Sequence, residues 1–270
     1  MSSAPIAIGS IVAYLGSATL IGWRMFHREL YPVNGWRQAA LALGFVGLLL
    51  HTFLLYHAIF RHAGLDFAFF NALSLASWTV VASLLISSLN KPIENLGLVI
   101  MPLAALTVGL DLMYPTVGFM SEKASWILKL HVLLSMLAYS MLTLAAVQAV
   151  LLAVQDSALR RRKPNSFIRS LPPLMTMEAL MFEMIGVGFG LLTLALISGF
   201  AFLENMFAQH LVHKTVLSVM AWLVFGGLLL GRRIWGWRGQ KAIRWTLSGF
   251  LLLILAYFGS KLVLELILHR

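Results

Sequence analysis

The apolar positions of this chain fall in long, nearly unbroken stretches that are separated by short polar segments. A membrane-spanning helix needs roughly 20 apolar residues to cross ~30 Å of hydrocarbon. Eight stretches approach or reach that length, and they predict an all-α polytopic membrane bundle of about eight transmembrane helices, near Ile6–Phe26, Gln38–Phe60, Phe67–Leu89, Leu96–Tyr114, Ile127–Val154, Ala179–Leu203, Val216–Gly231 and Trp245–Leu268. We therefore expect a single integral membrane domain over residues 1–270.

Composition supports the bilayer as the main solvent of this protein. Hydrophobic residues make up 60% of the chain and charged residues only 11%, with a mean hydropathy of +0.88. A soluble domain has roughly a quarter of its residues charged. The chain has no cysteine, which excludes disulfides, thiolate metal sites and thiol redox chemistry within it.

The net charge of +10 would suggest nucleic acid in a soluble protein, but here the basic residues alternate from loop to loop. The loops after the first, third, fifth and seventh stretches hold 14 of the 20 Lys and Arg residues, and the opposite side holds 5. Cytoplasmic loops retain such charges, so both termini are expected outside. The sequence predicts a multi-pass protein of the bacterial inner membrane. Its expected partner is the lipid bilayer, and no nucleic acid is expected to bind.

Histidines are the main candidates for ligand binding in this chain, which has eight of them and no cysteine. Five of the eight fall at the predicted outer surface, and they come from four separate segments: His62, His131, His210, His213 and His269. Neutral imidazoles facing a flat apolar slot are suited to axial ligation of haem iron. The alternative is that an amphipathic ring is simply tolerated at the membrane interface. Both interpretations remain open at this point.

A second group of polar residues lies in the last apolar stretch. Lys261 and Glu265 are one helical turn apart, so an ion pair is geometrically allowed. A lone ammonium in a membrane costs several kcal/mol, so Lys261 is expected to face the bundle interior or a wet cavity. There it would receive an anionic group such as a haem propionate, or it would pair with Glu265 or with Asp111.

Four segments give the chain a family resemblance: GLDFAFFNALSLASW, LHVLLSMLAYSMLTLAAVQAVLL, GFAFLENMFAQHLVHKT and AYFGSKLVLELILHR. With them the sequence resembles the CcsA/CcmC/HemX-type cytochrome c assembly family over nearly its whole length. Within that family it is most similar to the HemX-like branch, the YpjD-type inner-membrane proteins.

The resemblance implies a haem site on the outer side, held by one histidine that opens a helix and one that closes the last helix. These correspond to His131 and His269, which would be the axial ligands of a non-covalent, b-type haem. His62 lies close to the position of a histidine within the membrane in haem-transporting members. His210 and His213 are alternative outer ligands, and Lys261 or Lys214 would lie near the propionates.

Two departures from the family pattern limit what the resemblance implies. The stretch Gly199–Lys214 contains no tryptophan, whereas the haem synthetase branch has a tryptophan-rich segment there. Gly231 stands where a second membrane histidine is expected. These departures argue against presentation of haem to an apocytochrome and leave haem binding as the expectation.

Three hypotheses on function follow from the sequence. The first is a non-enzymatic haem-binding or haem-handling protein that is associated with cytochrome c assembly, with cytochrome c maturation or haem-biosynthesis proteins as partners. The second is a small-molecule or ion transporter, because ionisable groups within a membrane often mark transport paths. The third is a membrane regulator or scaffold of haem metabolism. No serine, carboxylate or metal motif of a hydrolase or transferase is present.

Overall fold

The computed structural model of this chain describes residues 4–26, 33–59, 65–66, 69–114, 119–120, 126–162, 166–202 and 212–259. Within these ranges the chain is helical, apart from short connections and two antiparallel strands of two residues each, β1 (Leu65–Asp66) and β2 (Phe119–Met120). The helices are α1 (Ala4–Phe26), α2 (Val33–Ile59), α3 (Phe69–Asn90), α4 (Gly97–Met113), α5 (Trp126–Arg160), α6 (Ser166–Ser170), α7 (Leu174–Phe202), α8 (Val212–Trp235) and α9 (Gln240–Ile254). A π-helical turn, Leu255–Gly259, continues α9.

Seven helices of the described ranges are long and apolar enough to cross a membrane. They coincide with the first seven predicted stretches, so the prediction of an all-helical, multi-pass membrane protein is confirmed to that extent. The eighth predicted stretch begins within α9 and runs beyond Gly259, outside the described residues, and it stays a prediction. The outward orientation of both termini also stays a prediction.

The helices differ from the predicted stretches mainly at their ends. Pro102 lies inside α4 without ending it. Helix α5 continues to Arg160, past the predicted end at Val154, and α8 begins four residues before the predicted start at Val216. The additional turns are more polar, because a helix keeps its internal hydrogen bonds after it leaves the hydrocarbon layer, where apolar side chains are no longer required.

The chain forms two compact units. Unit 1 comprises residues 1–123 and 161–171, and unit 2 comprises residues 124–160 and 172–270. In unit 1, α1 packs against α2 and α4, and α3 packs against α2 and α4. In unit 2, α5 packs along α7 and against α9, and α8 packs against α7 and α9. The assignment of the whole chain to a single domain stays a prediction.

Small residues allow the helices of each unit to approach closely. In unit 1, a methyl group built on Gly47 would lie 2.7 Å from the ring of Tyr14. In unit 2, a methyl group on Gly188 would lie 2.7 Å from Leu142 on α5. Lipid tails are as apolar as leucine, so tight packing of this kind, rather than hydrophobic exclusion, drives helix association in a membrane.

One partly buried carboxylate ties the basic end of unit 1 together. Glu94 accepts a hydrogen bond from Arg24 at 2.8 Å and a longer one from Arg37 at 3.3 Å. Arg37 also donates to the carbonyl oxygen of Ser88. The end of α1, the start of α2 and the end of α3 therefore meet around Glu94.

A second buried carboxylate has the same role in unit 2. One oxygen of Glu178 accepts hydrogen bonds from Arg232 at 3.0 Å and Arg238 at 2.9 Å, and the other accepts from the Gly239 amide at 3.0 Å. The Arg232 guanidinium also lies 3.8 Å from the centroid of the Phe182 ring. The start of α7 is thereby joined to the turn between α8 and α9.

Candidate functional site

The site that the structure supports best is built around His131, in the second turn of α5. Its imidazole is half-buried and lies against the last two turns of α7, within unit 2. The Nδ1 atom is 2.9 Å from the carbonyl oxygen of Ala195 and 3.1 Å from Oγ of Ser198. The resemblance singled out His131, but no sequence pattern indicated these two partners.

These two contacts fix the tautomer of the His131 ring. A carbonyl oxygen can only accept a hydrogen bond, so Nδ1 must carry the proton that it donates to Ala195. The Ser198 hydroxyl donates to the same carbonyl at 2.8 Å, which leaves the lone pairs of the Ser198 oxygen free to accept. In the neutral ring Nε2 is consequently unprotonated and carries a lone pair.

The surface of α7 beneath the imidazole is made of small residues. A methyl group built on Gly199 would lie 3.0 Å from Cε1 and 3.4 Å from Nδ1 of His131, which is closer than such contacts normally are. Glycine at this position therefore allows the ring to lie against the backbone of α7. Ala195 is buried and adds only a methyl group to this surface.

The other predicted ligands are not described in the same detail. His213 lies in the first turn of α8, but its side chain is outside the described residues, as are the whole of His62, His210, His269 and Lys261. Lys214 follows His213 in α8. Within the described ranges, no three His, Asp or Glu side chains form a cluster that could hold a metal ion. The pairing of His131 with any second histidine therefore stays a prediction.

His51, near the middle of α2, is a fully buried histidine with a different environment. Its Nδ1 atom is 3.1 Å from the Tyr14 hydroxyl, and its Nε2 atom is 2.9 Å from the Ser74 hydroxyl. A neutral imidazole has one donor and one acceptor nitrogen, and both are used here. His51 thus links α1, α2 and α3 of unit 1 and has no lone pair left for iron.

Gly231 has a structural reason to be glycine. The ring of Trp237 covers its α-carbon closely, and the Trp237 amide donates to the carbonyl oxygen of Gly231 at 3.2 Å. No side chain fits between them. The position at which the family resemblance led us to expect a membrane histidine is therefore occupied by the ring of a tryptophan six residues later.

Comparison with known proteins gives the family context of this site. A family model described as "Cytochrome C assembly protein" matches residues 40–268. The chain is 32% identical to the inner membrane protein YpjD of Escherichia coli K12, over 97% of this chain and 98% of the relative. It is 28% identical to the cytochrome c biogenesis protein CcsA of Rippkaea orientalis, over 41% of this chain and 36% of the relative. No solved structure matches the chain.

Proposed function

This chain belongs to the cytochrome c assembly protein family and is a multi-pass inner-membrane protein, and we propose that it is a non-enzymatic haem-binding protein associated with cytochrome c assembly. The observation that carries the proposal is the hydrogen-bonded state of His131. A second function receives no specific support from the described residues.

The environment of His131 is the one that an axial ligand of haem needs. Iron binds the lone pair of a neutral imidazole, and protein ligands usually donate their other ring N–H to a carbonyl or carboxylate, which fixes the ring and raises its basicity. In this chain Ala195 and Ser198 accept from Nδ1, so Nε2 would be the nitrogen available to iron. When bound, haem would supply an iron centre, and His131 would be one of the residues that hold it.

The side chains beside His131 on α5 suit a flat, apolar ligand. Trp126, Leu130 and Leu133 are apolar and at least a third exposed, and none of them would compete with the imidazole for iron. Lys214, in the first turn of α8 of the same unit, and Lys261 are the proposed partners of the propionates. An ammonium is a strong, adaptable donor to a carboxylate.

His269 is the proposed second axial ligand, on the grounds of its family position at the close of the last stretch. His210 and His213 are the alternatives. In each case the second imidazole comes from another segment than α5, so haem would cross-link two parts of the chain. Bis-histidine ligation gives a low-spin absorption spectrum that differs from that of a single ligand, and the two states can therefore be distinguished.

The test is the absorption spectrum of the full chain purified in mild detergent, before and after titration with haem. We expect a Soret band and low-spin α and β bands that are lost when His131 or His269 is replaced with alanine. His57→Ala is the matched control, because His57 lies on α2 of unit 1 and packs against the rings of Phe53 and Tyr56 on its own helix. It should leave the spectrum unchanged.

Two outcomes would contradict the proposal. One is a protein that stays colourless with excess haem although it is helical and monodisperse. The other is a haem band that survives in the His131→Ala variant with unaltered position and affinity. If only the His269→Ala variant keeps low-spin bands, the second ligand is another histidine, and the variants at His210 and His213 identify it.

A further inference from the structure

Three basic side chains at the turn between α8 and α9 are not among those that bind the buried carboxylate of Glu178. Glu178 forms ion pairs with Arg232 and Arg238, whereas Arg233, Lys241 and Arg244 are exposed. Neither Arg233 nor Arg244 has a carboxylate partner among the residues that the structure describes, and Lys241 lies on an aromatic ring instead. We call these three residues the basic triad.

The turn that presents the basic triad has a defined backbone. Gly236 and Gly239 have φ values of +63° and +57°, which favour glycine. The Gly236 amide donates to the carbonyl oxygen of Arg232 at 3.1 Å, and the Gly239 amide donates to Glu178. The positions of the triad along the two helices are therefore held by the turn and by Glu178, and not by the triad itself.

Three tryptophans lie beside the basic triad. Trp235 and Trp237 are stacked with their ring centroids 5.7 Å apart, and Trp237 lies 4.9 Å from Trp245. Lys241 Nζ is 3.7 Å from the centroid of the Trp237 ring. Trp235 is 66% exposed, which is tolerated at the headgroup level, where tryptophan is enriched in membrane proteins.

We propose that the α8–α9 turn binds the phosphate headgroup of an anionic phospholipid through the basic triad. Tryptophan rings place this turn at the depth of lipid phosphates, and clusters of Lys and Arg at that depth attract anionic headgroups. Guanidinium groups also bind phosphate in a bidentate manner. An acidic protein partner is less well matched, because the exposed Trp235 ring is suited to the lipid interface.

The experiment measures binding of phosphatidylglycerol to the full chain in mild detergent by native mass spectrometry. Phosphatidylcholine, which is zwitterionic, is the comparison lipid. The test variant is Arg233→Gln/Lys241→Gln/Arg244→Gln. The control variant, Arg161→Gln/Arg162→Gln/Lys163→Gln, removes the same charge from a basic run that has no tryptophan within ten residues of it in the sequence.

The wild-type protein and the control variant should retain phosphatidylglycerol in preference to phosphatidylcholine. Each cation near an anionic surface is worth about a fivefold change in affinity, so the test variant should bind phosphatidylglycerol at least about tenfold more weakly. Arg233→Lys/Arg244→Lys keeps the charge and should stay within about threefold of wild type. Equal thermal stability of all variants in phosphatidylcholine would verify that they are folded.

Three results would overturn the proposal. Equal weakening in the test and control variants would mean that general charge attraction, and not this turn, retains the lipid. Equal binding of phosphatidylcholine would mean that the headgroup charge is not recognised. Stabilisation of the protein by inorganic phosphate as strong as that by phosphatidylglycerol would mean that the turn binds free phosphate rather than a lipid.

Discussion

The Nδ1 atom of His131 lies 2.9 Å from the carbonyl oxygen of Ala195. This contact joins α5 to α7 and sets the protonation of the imidazole, because the carbonyl accepts and cannot donate. Through this contact the packing of α5 on α7 prepares the imidazole for the proposed binding of haem.

Gly199→Ala is the most direct test of this arrangement. The added methyl group would lie 3.0 Å from Cε1 of His131, so the ring must shift by a few tenths of an ångström, which changes the geometry of its hydrogen bond to Ala195. Loss of such a supporting contact commonly reduces the affinity of the bound metal group about tenfold or more. We expect that reduction in a haem titration followed by absorbance.

Gly190→Ala is the matched control for this substitution. Gly190 is on the same helix, and a methyl group built there meets nothing within 4 Å. Haem affinity should be unchanged, with a slight gain in helix stability. If the two alanine variants bind haem equally well, the packing of Gly199 against His131 has no part in haem binding.

His51→Leu should destabilise unit 1 without affecting haem. The substitution removes both hydrogen bonds of a fully buried ring and leaves the hydroxyls of Tyr14 and Ser74 without their partner. Buried unsatisfied groups and lost interhelical bonds together cost about 2 kcal/mol in the free energy of unfolding. Thermal unfolding in detergent measures the loss, and the Soret band monitors haem.

His57→Leu provides the comparison on the same helix, with an expected change in unfolding free energy below about 1 kcal/mol. A His51→Leu protein that keeps its stability but loses the haem band would contradict the structural role assigned to His51. It would identify this histidine as part of a haem site.

Glu178→Gln should weaken the attachment of α7 to the α8–α9 turn. The buried carboxylate accepts from Arg232, Arg238 and the Gly239 amide, and the amide side chain removes its negative charge. Both guanidinium groups are partly exposed, so screening reduces the effect, and we expect a loss of about 1–2 kcal/mol. Chemical or thermal unfolding in detergent provides the measurement.

Arg160→Gln is the control for that prediction. Arg160 is 71% exposed and pairs with Asp156 one turn away, an arrangement worth only about 0.3–0.5 kcal/mol. If the Glu178 and Arg160 variants are equally stable, the carboxylate of Glu178 does not hold the turn.

The predicted orientation can be tested with single cysteines, because the chain has no cysteine of its own. Arg161→Cys should be labelled by a membrane-impermeant maleimide only after the inner membrane is broken, since positive loops stay in the cytoplasm. Met113 is the last residue of α4, and its side chain is 70% exposed. The Met113→Cys variant should be labelled in intact spheroplasts. The reverse pattern would mean that both termini face the cytoplasm.

The sequence predicted which segments form helices more accurately than it predicted the contacts between those helices. Stretches such as Ile127–Val154 were recognised because hydrocarbon thickness sets a minimum apolar length. The hydrogen bond between His131 and Ser198, 67 residues away, was not indicated by any pattern in the sequence. The carboxylate of Glu178 likewise stood unremarked in a polar segment, although it joins two arginines more than 50 residues away.

The sequence by itself determined that the bilayer is the solvent, where the apolar helices lie and on which loops the charge accumulates. These features depend on local composition and on the thickness of hydrocarbon. Only the tertiary structure decided which faces meet: that His131 is oriented by α7, that His51 is satisfied within α1–α3, and that Gly231 lies under Trp237. Helices that are apolar on every side have no amphipathic pattern to fix their rotation, so that rotation is set by the close packing of small residues and by hydrogen bonds between helices distant in sequence.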